Sequence, residues 1–194
     1  MINSKEDLKY YLQRDSTKFG SQYQGGVKNL IRNLLANPGS DNQIIWKYIY
    51  VLRHCEYYIN VPKHNVIQKI FYGVGKVYYL YQLRRLGHIT GFQIPPNTCG
   101  PGLTIFHYGP IIIGNATLGE DCTLFPGVLI GKKSKTGRSA TIGNNVYICS
   151  GTKIIGDISI GDNVTIGQNC VIVKDIPAGS TVVNKSAATL ISTK

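Results

Sequence analysis

Residues 106–172 read FHYGPIIIGNATLGEDCTLFPGVLIGKKSKTGRSATIGNNVYICSGTKIIGDISIGDNVTIGQNCVI and contain a six-residue repeat. A large, mostly apolar residue recurs every sixth position, and a small or β-branched residue stands two positions before it. The large residues are Phe106, Ile112, Leu118, Leu124, Ile130, Ile142, Ile148, Ile154, Ile160, Ile166 and Ile172. A six-residue period fits neither a plain strand nor a helix, and it is typical of a parallel β-helix. The sequence therefore predicts a three-sided prism of stacked coils.

Each coil must bury its apolar face against its neighbours, because no single coil can cover its own. Each buried Ile or Leu contributes roughly 1.5–3 kcal/mol. A β-sandwich of short strands is the alternative, but it would not keep one register over so many repeats. The repeat breaks once, at residues 131–139, which hold four basic residues and no large apolar one. Because Ile130 and Ile142 are twelve residues apart, this segment is predicted to be a basic loop that leaves the prism in phase.

The first 90 residues have helical rather than six-residue periodicity. Ser4 and Asp7 resemble a capping box that opens a short helix, and a second helix is predicted through Val27–Leu35. Asp41 is predicted to cap a third helix, and Pro62 to open a fourth that ends near Gly87. The predicted apolar faces are Ile45, Tyr48, Leu52, Cys55 and Ile59 in the third helix, and Val66, Ile70, Val74, Val77 and Tyr81 in the fourth.

The predicted fold class is α+β, with an N-terminal helical domain (1–90) followed by a β-helix domain (91–183) and a short tail (184–194). Gly73 and Gly75 are expected to weaken the fourth helix but to allow another helix to approach closely. We expect the aromatic residues of the helices to form a packed cap over the prism. A weaker alternative is peripheral contact with an anionic membrane, aided by Lys63, Lys69, Lys76, Arg84 and Arg85.

The chain of 194 residues carries a formal net charge of +11, from 21 basic and 10 acidic residues. Such a balance attracts polyanions, including phosphate-bearing cofactors. No basic stripe with interleaved aromatic residues or nucleic-acid motif is present, so we expect no nucleic-acid partner. The five cysteines are odd in number and lack CxxC spacing, and no signal peptide is evident, which together predict a cytoplasmic protein.

His107 is the one histidine in the repeat region, directly after Phe106, where a corner of the prism would point its side chain outward. Imidazole titrates near neutral pH, so His107 is the candidate catalytic base. A lone histidine is usually structural, but the repeats offer almost no other group that titrates there. A catalytic zinc site for hydration chemistry in such a prism would need three histidines that converge on one ion, so no metal is predicted.

Residues eighteen apart should stack in such a prism, and Lys132, Ser150 and Gln168 have this spacing. Gly151 and Thr152 would lie beside that column. Backbone amides repeated along an edge suit an extended, amide-rich ligand such as pantetheine. Its phosphates would meet Lys132, Lys133, Lys135, Arg138 and Lys174. A solvated basic loop with ordinary turns is almost equally compatible with this spacing.

The chain from about Ile94 to Val183 resembles the hexapeptide-repeat acetyltransferases, whose fold is a left-handed parallel β-helix. It is most similar to the serine acetyltransferase branch and its relatives in capsule and exopolysaccharide clusters. The segments that carry the resemblance are IPPN (94–97), GPGLTIFHYG (100–109) and IGNNVYI (142–148). The helical N-terminal part, with its SKED opening (4–7), is also similar to that branch.

The resemblance implies that His107 is the general base and that acetyl-CoA is the acetyl donor. Backbone amides near Gly131 and Lys132 would stabilise the oxyanion. Ser150 and Gln168 match family positions that line a CoA groove between subunits. The family assembles as homotrimers, some of which pair, so each site would be shared between two chains.

Three departures from the serine acetyltransferase pattern bear on the acceptor. The aspartate that orients the base falls at Phe92, the histidine of an arginine–histidine pair falls at Ser139, and a turn glutamate falls at Asn115. These losses argue against L-serine. Phe92 and Tyr108 would suit a sugar face, and Asn115 is a third candidate acceptor contact.

The predicted function is therefore acetyl transfer from acetyl-CoA to a saccharide hydroxyl in surface polysaccharide or glycoconjugate synthesis. A serine acetyltransferase of cysteine synthesis is the alternative activity. A trimeric β-helix scaffold without turnover is the alternative from a different class.

Overall fold

The computed structural model describes residues 1–17 and 40–185. Helices α1 (Lys5–Thr17), α2 (Asp41–Asn60) and α3 (Val66–Thr90) precede a series of short β-strands. The helix predicted through Val27–Leu35 lies outside the described residues, as do residues 186–194 of the predicted tail.

The strands form three parallel sheets, which are the three faces of a prism. Face A contains β1 (Phe92–Gln93), β3 (Ile111–Ile113), β6 (Leu129–Gly131), β9 (Lys153–Ile155) and β12 (Val171–Ile172). Face B contains β4 (Thr117–Leu118), β7 (Thr141–Ile142) and β10 (Ser159–Ile160). Face C contains β2 (Thr104–Ile105), β5 (Thr123–Leu124), β8 (Tyr147–Ile148), β11 (Thr165–Ile166) and β13 (Thr181–Val182). The fold is thus an N-terminal helical region followed by a left-handed parallel β-helix, as predicted.

The large residues of the repeat fill the prism from Leu118 to Ile172, and all nine are at most 7% exposed. The positions two residues before them also point inward, among them Cys122 and Cys170, which are free thiols in the core. Burial raises the pKa of the Cys122 thiol to about 11. These two inward columns confirm the period read from the sequence.

For the first two residues of the column of large residues, the prediction that they lie in the core is wrong. Phe106 is 44% exposed and Ile112 is 36% exposed, whereas Ile105, Ile111 and Ile113 are buried. The reason is an irregular corner between β2 and β3 that changes the phase, so that Ile113 rather than Ile112 pairs with Ile130. The strict six-residue count holds only after this corner.

The basic segment leaves the prism between β6 and β7, as predicted. Residues 132–140 occupy a corner that residues 114–116 and 156–158 span in the neighbouring coils. Across this loop, stacked residues are 24 apart, as for Ile130 and Ile154, whereas below it Ile142 and Ile160 are 18 apart. The loop is therefore six residues longer than the corresponding corners of the neighbouring coils, and the strands on both sides of it keep their register.

The starts of the helices follow local capping chemistry. The Asp7 N–H donates to Ser4 Oγ and the Ser4 N–H donates to Asp7 Oδ2, both at 3.0 Å, which confirms the predicted capping box. The hydrogen bond from the Asn3 N–H, and next those from Ser4, lower the pKa of the Asp7 carboxyl. Helix α2 begins at Asp41 itself, so Ser40 and not Asp41 is its N-cap residue.

The predicted inner face of α2 is confirmed, since Ile45, Tyr48, Leu52 and Cys55 are buried and Ile59 is partly buried against them. This face packs on the first coils of the prism. Tyr48 makes an edge-to-face contact with Phe92, with ring centroids 5.0 Å apart, and its hydroxyl accepts the Ile94 N–H at 3.2 Å.

Helix α3 differs from its prediction at both ends and in its packing. It begins after Asn65, whose side chain accepts the Gln68 N–H at 2.8 Å, and it ends at Gly91, whose φ of 80° is a left-handed C-cap. The residues of the predicted apolar side are all exposed: Val66, Ile70, Val74, Val77 and Tyr81. The helix buries Leu83, Leu86 and Thr90 instead.

Gly75 explains which side of α3 faces α2. A Cβ built at Gly75 would lie 2.2 Å from Tyr58 Cε1, so only glycine permits this contact. Gly73 has open space around it and plays no such part.

One buried charge network joins α1, α2 and the first coil. Arg53 is fully buried; its Nε donates to Asp15 Oδ2 at 2.8 Å, and its Nη atoms donate to Glu56 and to the carbonyls of Cys99 and Gly100. Asp15 Oδ1 also accepts the Gly102 and Leu103 N–H groups at 2.7 and 2.9 Å. Every strong donor and acceptor in the network is thus satisfied, which makes this burial of charge tolerable.

Candidate functional site

His107 lies on a bulge at the corner between faces C and A. The Phe106 N–H donates to Leu124 O just as the Phe125 N–H donates to Ile148 O one coil below. The Gly127 N–H donates to Pro110 O just as the Gly151 N–H donates to Pro126 O. Phe106 and Pro110 therefore take the places of Phe125 and Pro126, which are consecutive, so residues 107–109 form a bulge. Because Ile105 pairs with Leu124 and Ile113 with Ile130, this corner is two residues longer than the next one.

The bulge explains the accessibility of the imidazole. His107 has a φ of 60°, a conformation that few residues other than glycine adopt, and its side chain is 73% exposed. The Gly109 N–H donates to Thr90 O at 2.9 Å, which fixes the bulge to the end of α3. The strained backbone is thus held by the helix end, as is common at functional sites.

Asp41, the first residue of α2, places its carboxylate beside this imidazole. Its Oδ2 atom lies 3.7 Å from His107 Nδ1, and its side chain is 47% exposed. The distance is longer than a hydrogen bond but within the range of an ion pair when the ring is protonated. Sequence reasoning interpreted Asp41 only as a helix cap and had no signal for this contact with a residue 66 positions later.

Aromatic side chains run along face C from the bulge. Phe106 stacks on Phe125 with ring centroids 5.0 Å apart, and Phe125 contacts Tyr147 at 5.2 Å. Phe106 and Tyr147 are exposed, as is Tyr108 next to His107. We call Phe106, Phe125 and Tyr147 the aromatic strip.

The structure contradicts the prediction that Phe92 contacts an acceptor. Phe92 is 2% exposed and lies between α2 and the first coil, against the ring of Tyr48. Phe92 is therefore part of the core, where apolar burial stabilises it.

The stacked column at the His107 corner is Pro126, Ser150 and Gln168, not Lys132, Ser150 and Gln168. The Gly151 N–H donates to Pro126 O at 3.0 Å and the Asn169 N–H donates to Ser150 O at 2.9 Å, which fixes this order. Lys132 is excluded because the loop sets its coil 24 rather than 18 residues from the next. We call residues 106–110, 125–128, 149–152 and 167–170 the His107 corner.

Two backbone amides at this corner are available to a ligand. Within the described residues, the N–H groups of Ser150 and Gln168 donate to no other group, and they lie one coil apart. Coils stack at strand spacing, about 4.8 Å. Thr152 does not belong with them, since it is fully buried and its hydroxyl donates to Gly167 O at 2.9 Å.

Lys153 is a further residue at this corner that sequence reasoning missed. Its half-buried side chain on face A donates from Nζ to the Gly127 carbonyl, which places a positive charge beside the amides of the column. The only signal in the sequence was a lysine at a position that aliphatic residues occupy in other coils, such as Leu129 and Val171.

The other predicted contacts lie at the corner between faces A and B. A cleft of about 420 Å³ opens there, lined by Asn115, Thr117, Lys132, Gly137, Arg138, Ser139, Ala140, Thr141 and Asp157. Lys133 lies beside Gly156, and the exposed Lys174 belongs to the lowest coil of the same edge. We call residues 114–116, 132–140, 156–158 and 173–175 the loop corner.

Ser139 gives the cleft an unusual polar group. Its side chain is 5% exposed, and its Oγ atom has no hydrogen-bond partner among the described residues. A buried hydroxyl without a partner costs free energy, and a polar ligand in the cleft would satisfy it. Arg138 and Lys132 make the same cleft positive.

The predicted site residues thus divide between two edges of one prism. His107, Tyr108, Ser150, Gly151 and Gln168 share the His107 corner, whereas Asn115, Lys132, Lys133 and Lys174 share the loop corner. Gly131 ends β6 and leads into the loop. Within residues 1–17 and 40–185, no cluster of three His, Cys, Asp or Glu side chains could hold a metal ion. None of the helices in those ranges has the length and apolar character needed to cross a membrane.

Residues 139–174 match the family described as "Bacterial transferase hexapeptide (six repeats)". In the structure, the matched residues comprise β7 to β12 and include the column of Ser150 and Gln168. No curated protein matches the chain in sequence.

Solved structures with the same fold include several serine acetyltransferases. The soybean apoenzyme has a TM-score of 0.67 at 20% identity, over 94% of this chain and 69% of that one. The Entamoeba histolytica isoform 3 in complex with cysteine has a TM-score of 0.63 at 21% identity, over 97% of this chain and 62% of that one. The Neisseria gonorrhoeae enzyme has a TM-score of 0.63 at 22% identity, over 93% and 66%. The chain therefore spans about two thirds of the length of these proteins.

Proposed function

We propose that this protein is an acetyl-CoA-dependent O-acetyltransferase in which His107 is the general base. The observation that carries the proposal is the exposed imidazole on the bulge of the prism at residues 107–109, with the Asp41 carboxylate 3.7 Å from Nδ1. General acid–base catalysis needs an accessible group that titrates near neutral pH, and imidazole meets this requirement.

In the proposed reaction, His107 Nε2 accepts the proton of an acceptor hydroxyl while that oxygen attacks the thioester carbonyl of acetyl-CoA. The tetrahedral intermediate then breaks its C–S bond, and the departing CoA thiolate takes the proton from the imidazolium. Asp41 faces Nδ1, so it favours the tautomer with Nε2 free and stabilises the positive ring. The products are the acetyl ester and free CoA.

The acetyl donor would lie along the His107 corner. The free N–H groups of Ser150 and Gln168 suit the two amide carbonyls of the pantetheine arm, and Lys153 adds positive charge nearby. Amides near Gly131 and Lys132 would stabilise the oxyanion, and Lys132, Lys133 and Lys174 would meet the phosphates.

The division of these residues between two edges favours a homotrimer. In a trimer of prisms, the His107 corner of one copy would face the loop corner of the next, so each site would take residues from two chains. The buried Ser139 hydroxyl and Arg138 would then border the acceptor of the neighbouring copy. Whether trimers pair remains a prediction from the resemblance.

A saccharide hydroxyl, as in surface polysaccharide or glycoconjugate synthesis, is the acceptor that we favour. Sugar rings stack on aromatic faces, and the aromatic strip with Tyr108 provides such a surface next to His107, in place of the buried Phe92. The Asn115 amide would add a hydrogen-bonding group from the loop corner.

L-serine is the second candidate acceptor, and two observations favour it. The solved structures of the same fold are serine acetyltransferases, one of them the Neisseria gonorrhoeae enzyme in complex with serine. The Asp41 carboxylate also offers a partner for the ammonium group of an amino acid.

The deciding experiment measures CoA release with acetyl-CoA and either L-serine or a panel of monosaccharides and oligosaccharides. We expect turnover with a saccharide, and the variant His107→Ala should lose roughly 10²- to 10⁴-fold in kcat/KM. Efficient turnover of serine would reject the saccharide proposal. A His107→Ala variant with undiminished turnover would reject this histidine as the base, and no release with any acceptor would favour the scaffold alternative.

The variant Asp41→Asn separates the two roles of this carboxylate. If Asp41 orients His107, kcat should fall for every acceptor. If it binds an ammonium group, KM should rise for serine alone. Unchanged kcat and KM with all acceptors would contradict both roles.

A further inference from the structure

One side of α3 is an apolar stripe that nothing in the described chain covers. Eight large residues on it are each between 55% and 79% exposed: Val66, Ile67, Ile70, Phe71, Val74, Val77, Tyr78 and Tyr81. At about 100° per residue they fall within a sector about 140° wide, and they extend for roughly 23 Å along the helix. A contiguous apolar patch of this kind on a protein surface usually marks an interaction site.

The stripe is not the side of α3 that stabilises the fold. The opposite side packs on α2, with Leu83 and Leu86 buried and Gly75 against Tyr58. Two different sides of this helix are therefore apolar, and residues 1–17 and 40–185 bury only one of them.

The charge around the stripe has a single sign. Lys69 and Lys76 are exposed along one flank of it, and Arg84 and Arg85 are exposed towards the C-terminal end of the helix. No Asp or Glu occurs in the sequence between Glu56 and Glu120, so no acidic residue of this segment offsets these cations. The partner that complements the stripe is consequently anionic as well as apolar.

We propose that the α3 stripe docks on the surface of an anionic lipid bilayer. A helix with apolar and aromatic side chains on one side and flanking cations lies in the bilayer interface, with the cations near the headgroups. Tyrosine suits this depth, because its ring is apolar and its hydroxyl remains near water. Pairing with a second copy is disfavoured, since a symmetric contact along α3 would bring like cations together with no carboxylate from this helix between them.

Docking in this way would also set the height of the candidate site above the lipid. The end of α3 is joined to the His107 bulge, because the Gly109 N–H donates to Thr90 O at 2.9 Å and the Ile111 N–H donates to Gly91 O at 3.2 Å. Docking on lipid does not depend on the proposed acetyl transfer, because it is measured as binding without turnover.

The test is co-sedimentation of the full chain with vesicles of phosphatidylcholine alone or mixed with phosphatidylglycerol. We expect binding to the mixed vesicles, weakened by salt. The variant Lys69→Gln/Lys76→Gln should bind about 25-fold more weakly, since each cation at an anionic surface adds roughly fivefold. The variant Ile70→Ser/Phe71→Ser/Val74→Ser should lose roughly tenfold or more.

A matched pair of single variants controls for general loss of apolar surface. Val74 on the stripe and Val171 on face A are each 67% exposed. Val74→Ser should weaken vesicle binding and Val171→Ser should not. Absence of binding to the mixed vesicles, or equal binding by the stripe variants and the unmodified protein, would overturn the proposal. A lower molecular mass of the stripe variants in solution would likewise overturn it, in favour of a second copy.

Discussion

The prism and the helical region of this protein are stabilised in different ways. In the prism, the same few apolar residue types recur at the same positions, and the backbone hydrogen bonds run between equivalent residues of successive coils. In the helical region, the contact with the prism includes one arginine with two carboxylates, all buried, an arrangement that does not recur in the described residues. The repeating region distributes its stability over many equivalent positions, whereas the helical region concentrates it in a few.

This difference predicts where single substitutions do most damage. The variant Asp15→Asn should lower the free energy of unfolding by about 3–5 kcal/mol, because it leaves the buried Arg53 without its main partner. Urea unfolding followed by circular dichroism measures this loss. The matched change Asp121→Asn, at a partly exposed ion pair with Arg14, should cost at most about 1 kcal/mol. Equal effects of the two changes would mean that the buried network is not what attaches the helices.

Within the prism, the corrected register gives the next largest effect. Ile148→Ala removes a fully buried side chain and should cost about 2–5 kcal/mol. Ile112→Ala removes one that is 36% exposed and should cost less than about 1 kcal/mol. The same unfolding measurement compares them, and an equal loss for Ile112 would restore the uninterrupted six-residue count through the His107 corner.

The capping box of α1 tests how much local chemistry contributes to the helical region. Ser4→Ala removes the acceptor of the Asp7 N–H and should cost about 0.5–2 kcal/mol. Ser4→Asp keeps an acceptor at this position and should preserve most of the stability. If both variants unfold at the same urea concentration, the cap makes no measurable contribution.

His54 provides the smallest effect, a dependence of stability on pH. Burial lowers the pKa of this imidazole, although its hydrogen bond with the Tyr50 carbonyl partly opposes the shift. The unfolded chain then binds a proton near pH 6.5 that the folded chain binds only at lower pH, so stability falls as the pH drops through this range. The stability of the variant His54→Phe should fall less than that of the unmodified protein between about pH 7.5 and pH 5.5. The change in the midpoint urea concentration of unfolding measures this difference. An identical pH dependence would assign the effect to other groups.

The sequence predicted the prism because a repeat constrains every member at once. The inward columns, the buried Cys122 and Cys170 and the phase across the loop all follow from one period. The prediction failed at Phe106 and Ile112, because two additional residues in one corner change the phase and counting alone does not reveal them.

The candidate site was predictable only where it belongs to the repeat. His107 and the amides of Ser150 and Gln168 are corner positions, which the period locates. The proximity of Asp41 depends on how α2 packs, and that packing is fixed by contacts of Arg53 with residues distant in sequence. The apolar residues on two sides of α3 gave no preference for one of them, and Gly75 was the one signal for the side that approaches α2.

The loop of residues 132–140 leaves one corner and returns with the coils above and below it still paired. Its length is therefore independent of the register of the prism, and doubling it would add only about 0.6 kcal/mol of closure entropy. Natural variation can accordingly insert or delete residues in this segment and remodel the cleft beside Ser139 while the hydrophobic interior stays unchanged. If this cleft borders the acceptor, as proposed, specificity and foldability are encoded in separate parts of the chain at this edge and can evolve independently.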